Sequence, residues 1–211
     1  MSTSVTVESV TDVGPSTVAI ELETPEDFAA LPGQFVLLHA SPDGEELSRH
    51  YTLSATPADG TFEITVGVDP DGDLSPWLAD LEGGETVEIE GPYGSITYEG
   101  ETDVVAVAGG PGVGPAVSIA GTAHGAGHEA AVVYQDDQPA HVDRLEALEA
   151  DGVDVTIIAD GDGDGLEAAV ADHLGDGQFY VFGFDAFVTA VADAIDAAGG
   201  NAAEALIENF G

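Results

Sequence analysis

The sequence predicts two domains, an antiparallel β-barrel followed by an α/β domain built on a parallel sheet. Three observations carry this reading. Up to about residue 98 the chain consists of short β-branched or alternating runs separated by turn formers. From Val104 onward, apolar runs of strand length alternate with runs of helical period. Between the two regimes lies the polar break Glu99-Gly100-Glu101, which divides the chain into domains 1–99 and 100–211.

The barrel runs are Val5-Thr6-Val7, Thr17 to Leu22, Gln34 to Leu38, Phe62 to Val66 and Thr86 to Glu90. Gly14-Pro15, Pro32-Gly33, Pro57, Asp59-Gly60 and Gly83-Gly84 are the residues that turn a chain, and they bound these runs. One helical piece, Ser75 to Asp80, interrupts them. The second half is expected to run as strand 104–108, an uncharged helix from about Pro115, strand 130–134, helix 140–150, strand 153–159, helix 166–174, strand 179–182 and helix 186–198. Such alternation implies parallel strands covered on both faces. Val104 to His128 carries no charge and has the length of a membrane span. Gly109, Gly110, Pro111, Gly112, Gly114 and Pro115 in its middle read instead as a turn between strand and helix, so no membrane span is expected.

Charge narrows the function classes. The chain has 41 Asp and Glu against 2 basic residues, Arg49 and Arg144, for a net charge of -39. So many like charges repel one another in dilute buffer. At about 1 M salt the Debye length falls to roughly 3 Å and most of that repulsion is screened. The composition therefore resembles that of proteins from salt-accumulating halophiles. Nothing here neutralises a row of phosphates, so nucleic acid is excluded as a partner. With no cysteine there is no disulfide, no thiolate nucleophile and no cysteine-ligated zinc or iron–sulfur centre. Met1 to Ser4 has neither the basic region nor the apolar core of a signal peptide, and a cytoplasmic location is expected. Asp160 to Gly165 imitates the start of a calcium loop, but the twelfth position is Ala171 and the segment follows a strand. His124 and His128 have metal-ligand spacing, yet Gly125 and Gly127 end the helix between them. No metal site is expected.

Three segments carry chemistry. The first is Ser48-Arg49-His50-Tyr51-Thr52-Leu53-Ser54. An arginine fork suits phosphate, a tyrosine face stacks on a flat ring, and a threonine hydroxyl bonds a ring nitrogen. The second is Gly72-Asp73-Leu74-Ser75-Pro76-Trp77, where a helix start and a serine suit an anion, or where Ser75 simply caps the helix. The third is strand Val104 to Ala108 followed by Gly109-Gly110-Pro111-Gly112-Val113-Gly114-Pro115. Glycines there admit a pyrophosphate to the helix N-terminus, or serve tight strand–helix packing. It is neither the GxGxxG fingerprint nor a phosphate loop, which would need a lysine.

In this order, and with the turn Gly91-Pro92-Tyr93-Gly94, these segments resemble the ferredoxin–NADP reductase-like flavoprotein family over nearly the whole chain. The resemblance implies an FAD-binding barrel followed by a nucleotide-binding domain. It implies that Arg49 holds the FAD pyrophosphate, that Tyr51 lies against the flavin and that Thr52 bonds near flavin N5, the hydride-accepting atom. Gly72, Leu74 and Ser75 would contact the pyrophosphate. Gly110, Gly112, Val113 and Pro115 would receive the nicotinamide nucleotide, with Gly183 nearby. Glu208-Asn209-Phe210-Gly211 is similar to the family's ending, which would set Phe210 near the flavin ring as a catalytic neighbour of Tyr51 and Thr52.

The sequence departs from the family in two places. Many members have a cysteine–glycine pair where this chain has Phe182-Gly183, and Pro111 replaces a threonine in the glycine turn. Both changes fall on the nicotinamide side. They leave open an alternative, an FAD-binding electron-transfer subunit or sensor without direct nicotinamide turnover. Gln135-Asp136-Asp137 stands where NADPH-preferring relatives have basic residues, so the resemblance leans towards NADH. Arg144 is read as a surface helix residue, or one that reaches a phosphate. The electron acceptor, a ferredoxin, a quinone or a partner subunit, is not identified by any residue.

Overall fold

The computed structural model describes residues 2–211. Six antiparallel strands form the first domain: β1 (Thr3–Gly14), β2 (Thr17–Glu23), β3 (Phe35–Ala40), β4 (Leu47–Ala58), β5 (Thr61–Gly67) and β6 (Thr86–Tyr93). They close into a barrel in the order β1-β2-β5-β4-β3-β6. Alternation sends Val18, Ile20 and Leu22 of β2 and Ile64 and Val66 of β5 into one core with Val36, Leu38 and Leu53. The short helix α1 (Ser75–Ala79) adds Leu78 to that core, and Leu74 just before it joins the same cluster.

Two strands run further than their hydrophobic pattern indicates. β4 continues through Pro57, which the sequence suggests as a turn, because register shifts between Leu53 and Ala58 take the proline out of regular pairing with β5. β6 continues through Gly91-Pro92-Tyr93, also expected as a turn, and Tyr93 pairs with Phe35 of β3.

The second domain runs β7 (Val104–Gly109), a 3-10 turn at Gly110–Gly112, α2 (Val113–Gly125), β8 (Ala130–Gln135), α3 (Val142–Asp151), β9 (Asp154–Ile158), α4 (Gly163–Asp172), β10 (Gln178–Gly183), α5 (Asp185–Ala197) and β11 (Leu206–Asn209). The strands make one parallel sheet in the order β11-β10-β7-β8-β9. β7 is buried on both faces. Val105 and Val107 face α4 and α5, while Ala106 and Ala108 face α2 and α3. The alanines are small enough to let α2 lie close to the sheet. α2 starts two residues before Pro115, which its first turn accommodates because the N–H there has no helical partner. β11 pairs in parallel with β10 and lies beyond the last element that periodicity indicates.

The calcium-like segment has a structural role: Asp162 caps α4, its Oδ1 accepting the Gly165 N–H at 2.9 Å. α2 ends at Gly125, and His128 Nδ1 lies 3.3 Å from Asp103 Oδ1. Among the described residues no group of three His, Cys, Asp or Glu is arranged to hold a metal. No helix among them is long and apolar enough to cross a membrane.

Residues 94–103 connect the domains and are held by both. Tyr98 is fully buried; its N–H donates to Pro32 O and its hydroxyl to Thr102 O at 2.7 Å. Its ring meets Tyr180 edge-on at 6.0 Å, and Tyr180 donates to Thr97 O. Elsewhere α2 rests on the barrel. A Cβ at Gly114 would lie 2.9 Å from Thr65 Oγ1 and 3.3 Å from Ser54 Cβ, so only glycine fits where the helix meets β4 and β5.

Candidate functional site

The Arg49–Thr52 segment lies in β4, paired with β3 through Leu38–Arg49, Val36–Tyr51 and Phe35–Thr52. Paired residues share a face of the sheet. Tyr51 therefore stands beside the buried Val36 and packs its ring against the barrel core. Burial pushes its phenol up to about 12, opposed by the positive charge of Arg49, so the hydroxyl stays protonated beside the guanidinium. Arg49 is exposed and donates Nη1 to the Ser48 carbonyl at 2.8 Å. In a chain with 41 carboxylates it pairs with none among the described residues. An arginine with unused donors next to a protonated tyrosine is a donor set for an anion, and it fits the pyrophosphate of FAD.

The Gly72–Ser75 segment forms a compact turn. Gly72 N–H donates to Asp69 O at 3.0 Å, and Ser75 Oγ accepts the Asp69 N–H at 3.0 Å. Ser75 is therefore not the helix cap; Leu74 occupies that position and contributes no side-chain bond. With its side chain in the barrel core, Leu74 offers a ligand only its backbone.

In the glycine turn, each glycine is required for its own reason. Gly110 has φ +55° and open space where a Cβ would project, which leaves its backbone accessible. A Cβ at Gly112 would collide with the Phe182 carbonyl of β10, and one at Gly109 would meet the Phe187 ring at 2.7 Å. Val113 and Pro115 are buried, and Val113 N–H already bonds the carbonyls of Gly110 and Pro111. Gly110 is thus the open member of the expected nucleotide set, whereas Gly112, Val113 and Pro115 are enclosed. Gly183 is buried against Phe187, and its carbonyl accepts Phe210 N–H at 2.9 Å.

The C-terminal strand brings further groups to β4. Phe210 is half-buried and meets the exposed Phe184 edge-on at 6.0 Å. Glu208, opposite Phe182 in β11, is half-buried, and burial raises its carboxyl while His50 of β4 pulls it down. Sequence reasoning names Glu208 only as part of the ending, because a single acid among 41 acidic residues carries no signal.

Arg144 is neither a plain surface residue nor directed at a phosphate. Nη1 donates to Glu63 Oε1 at 3.0 Å and Nη2 to Ser54 O at 2.8 Å, so it ties α3 to β5 and β4. His141, just before α3, bonds Thr65 Oγ1 through Nε2 at 2.7 Å, and its N–H donates to Val13 O. Its ring is driven down to about 4, chiefly by burial, so it is neutral. At the far end of β8, Asp136 accepts from Tyr134 Oη and Gln138 N–H, and Asp137 accepts from Asp160 N–H at 2.9 Å. Two carboxylates are thereby fixed at the C-terminal edge of the sheet.

Comparison with known proteins agrees with this geometry. Residues 4–98 match the family model described as the oxidoreductase FAD-binding domain. A glycine betaine monooxygenase reductase subunit from Chromohalobacter salexigens is 39% identical over 102 residues, 46% of this chain and 27% of that protein. An NADH-cytochrome b5 reductase 1 from Ajellomyces capsulatus is 35% identical over 104 residues, 46% of this chain and 34% of that protein. The matches thus span about a quarter to a third of those relatives. Among solved structures, the flavohem-like FAD/NAD binding domain of nitric oxide dioxygenase from Vibrio cholerae superposes with a TM-score of 0.81 at 21% identity, over 99% of this chain and 98% of that one. Residues 4–98 are thus similar to an oxidoreductase FAD-binding domain, and the whole chain shares the two-domain fold of that flavohem-like FAD/NAD binding domain.

Proposed function

We propose that the chain is an FAD-dependent oxidoreductase that moves electrons between NAD(P)H and a separate acceptor such as a ferredoxin, a quinone or a partner subunit. The observation that carries this reading is the junction of the two halves. Ser54, two residues beyond Thr52, packs against Gly114 at the start of α2, so the donor strand and the glycine turn adjoin. Bound there, FAD would supply the hydride chemistry; the protein supplies binding, orientation and electrostatics. Arg49 neutralises the pyrophosphate, with the backbone of Gly72 and Leu74 and the hydroxyl of Ser75 beside it. Tyr51 offers a ring face and a protonated hydroxyl. Thr52 would hold a hydrogen bond to the flavin ring, and Phe210, on the C-terminal strand, would lie against it. Gly110 gives the nucleotide its closest backbone approach, with Gly112, Val113, Pro115 and Gly183 shaping the wall behind.

The fixed carboxylates Asp136 and Asp137 support NADH over NADPH, since they repel a 2′-phosphate and accept from ribose hydroxyls. Arg144, engaged by Glu63, leaves them uncompensated. The acid load supports a cytoplasm of high salt, and the division at residues 99 and 100 separates the cofactor and nucleotide domains. Arg49→Ala tests the assignment. FAD content of the purified variant should fall at least tenfold, a loss of roughly 1.4 kcal/mol or more, typical of a charge-assisted contact. Arg144→Ala should retain its FAD. Equal FAD content in the two variants would contradict the reading.

A further inference from the structure

One turn of the second domain, residues 141–144, contacts three strands of the first. His141 N–H reaches Val13 of β1, His141 Nε2 reaches Thr65 of β5, and Arg144 bridges Glu63 of β5 and the Ser54 carbonyl of β4. The backbone approaches closely as well: a Cβ at Gly14 would lie 2.7 Å from Ala140 Cα. A single contact between domains permits pivoting, whereas contacts to three strands define an angle. We propose that Arg144 is a positioning residue that fixes how the glycine turn faces the strand bearing Arg49, Tyr51 and Thr52. The proposal rests on the functional reading above.

Three features separate this from an ordinary surface ion pair. The first is location. The Ser54 carbonyl that Arg144 holds is two residues from Thr52, and the Ser54 and Thr65 side chains are the surface on which Gly114 of the glycine turn rests. A shift of the clasp therefore moves β4 and the glycine turn relative to one another. The second is burial. Arg144 and Glu63 have side chains 36% and 26% exposed, which leaves the pair less screened by salt than a fully exposed one. Glu63 is also hydrogen-bonded by the buried Ser54 hydroxyl, so both its partners are defined. The third is charge. In a chain with 41 acidic and 2 basic residues, the domains repel each other across their boundary, and Arg144 supplies a cation there that opposes it. Its guanidinium fork spans a carboxylate and a carbonyl at once, which a lysine does not do.

The full chain contains no cysteine, so two introduced ones can be labelled uniquely with nitroxides. Glu88→Cys and Ala190→Cys are both exposed, one in each domain. In molar KCl, the interlabel distance in the otherwise unchanged chain should be a single narrow distribution, and Arg144→Ala should broaden it at least twofold. Glu63→Gln should do the same, and combining the two should add little, since one contact is being removed twice. Arg144→Lys, which keeps the charge but not the fork, should fall between and guards against a variant that fails to fold. In the FAD-loaded protein, the rate of flavin reduction at saturating NADH should drop about tenfold in Arg144→Ala, while FAD content and half-saturating NADH change less than about twofold. An unchanged distance distribution in Arg144→Ala would overturn the proposal, as would a broadened one with an unaltered reduction rate. If neither nucleotide reduces the unmodified protein, the functional reading falls, and the distance measurement alone then decides for or against the clasp.

Discussion

Substituting His141 with Asn should remove a pH dependence of stability that the fold creates. The ring is 5% exposed, and burial lowers it from 6.5 to about 4. Glu63 acts in the opposite direction and Arg144 in the same direction as burial, both more weakly. A base whose folded value is depressed takes up its proton in the unfolded chain first. Stability from this residue is therefore fully present above pH 6.5 and is lost as pH falls towards 4. The size follows from the shift, at 1.36 kcal/mol per unit, or about 3 kcal/mol over the window. Asn suits the site because His141 has φ +54°, a left-handed conformation that Asn tolerates better than most residues. Denaturant unfolding in molar KCl at several pH values between 4 and 8 would measure both proteins. Carboxylates titrate in each and cancel in the difference. The parent should lose about 3 kcal/mol more than His141→Asn between pH 7 and 4. Parallel curves would refute it.

Three further outcomes follow from the same structure. Gly112→Ala should destabilise the fold by about 3 kcal/mol, because the new methyl meets the backbone carbonyl of Phe182, which has no rotamer to yield. Gly110→Ala, in open space at φ +55°, should cost about 1 kcal/mol in stability and act mainly on nucleotide affinity; thermal melts and NADH titrations of the pair would separate the two effects. Dialysis from molar KCl into dilute buffer should unfold the chain as screening of the -39 net charge is lost, and circular dichroism unchanged by that step would contradict the electrostatic argument.

How much of this was legible in the sequence depended on whether the signal was local. Strand and helix order came from periodicity, since side chains alternate on a half-buried strand and repeat every three to four residues on a helix. β4 and β6 exceeded their expected spans because pairing with neighbours overrode Pro57 and Gly91-Pro92. β11 escaped because Leu206 to Asn209 is only four residues long and ends on polar residues, too short for a periodic signal. The site segments were readable as resemblance because each is a short, local motif. The clasp was not. Arg144 and Glu63 are separated by 81 positions, and only the fold brings them together. The glycine turn was legible as a motif but not in its parts: only the packing distinguishes Gly112, pressed against β10, from Gly110, open to ligand.

The proposed function requires FAD and a nicotinamide nucleotide to meet where β4 and the glycine turn adjoin. An anaerobic absorbance spectrum of the FAD-loaded protein in molar KCl, recorded before and after adding NADH and then, in a separate sample, NADPH, tests it most directly. Flavin bands should bleach with NADH at lower concentration than with NADPH. Flavin bands that persist with both nucleotides would contradict it and leave an FAD-binding electron-transfer subunit or sensor.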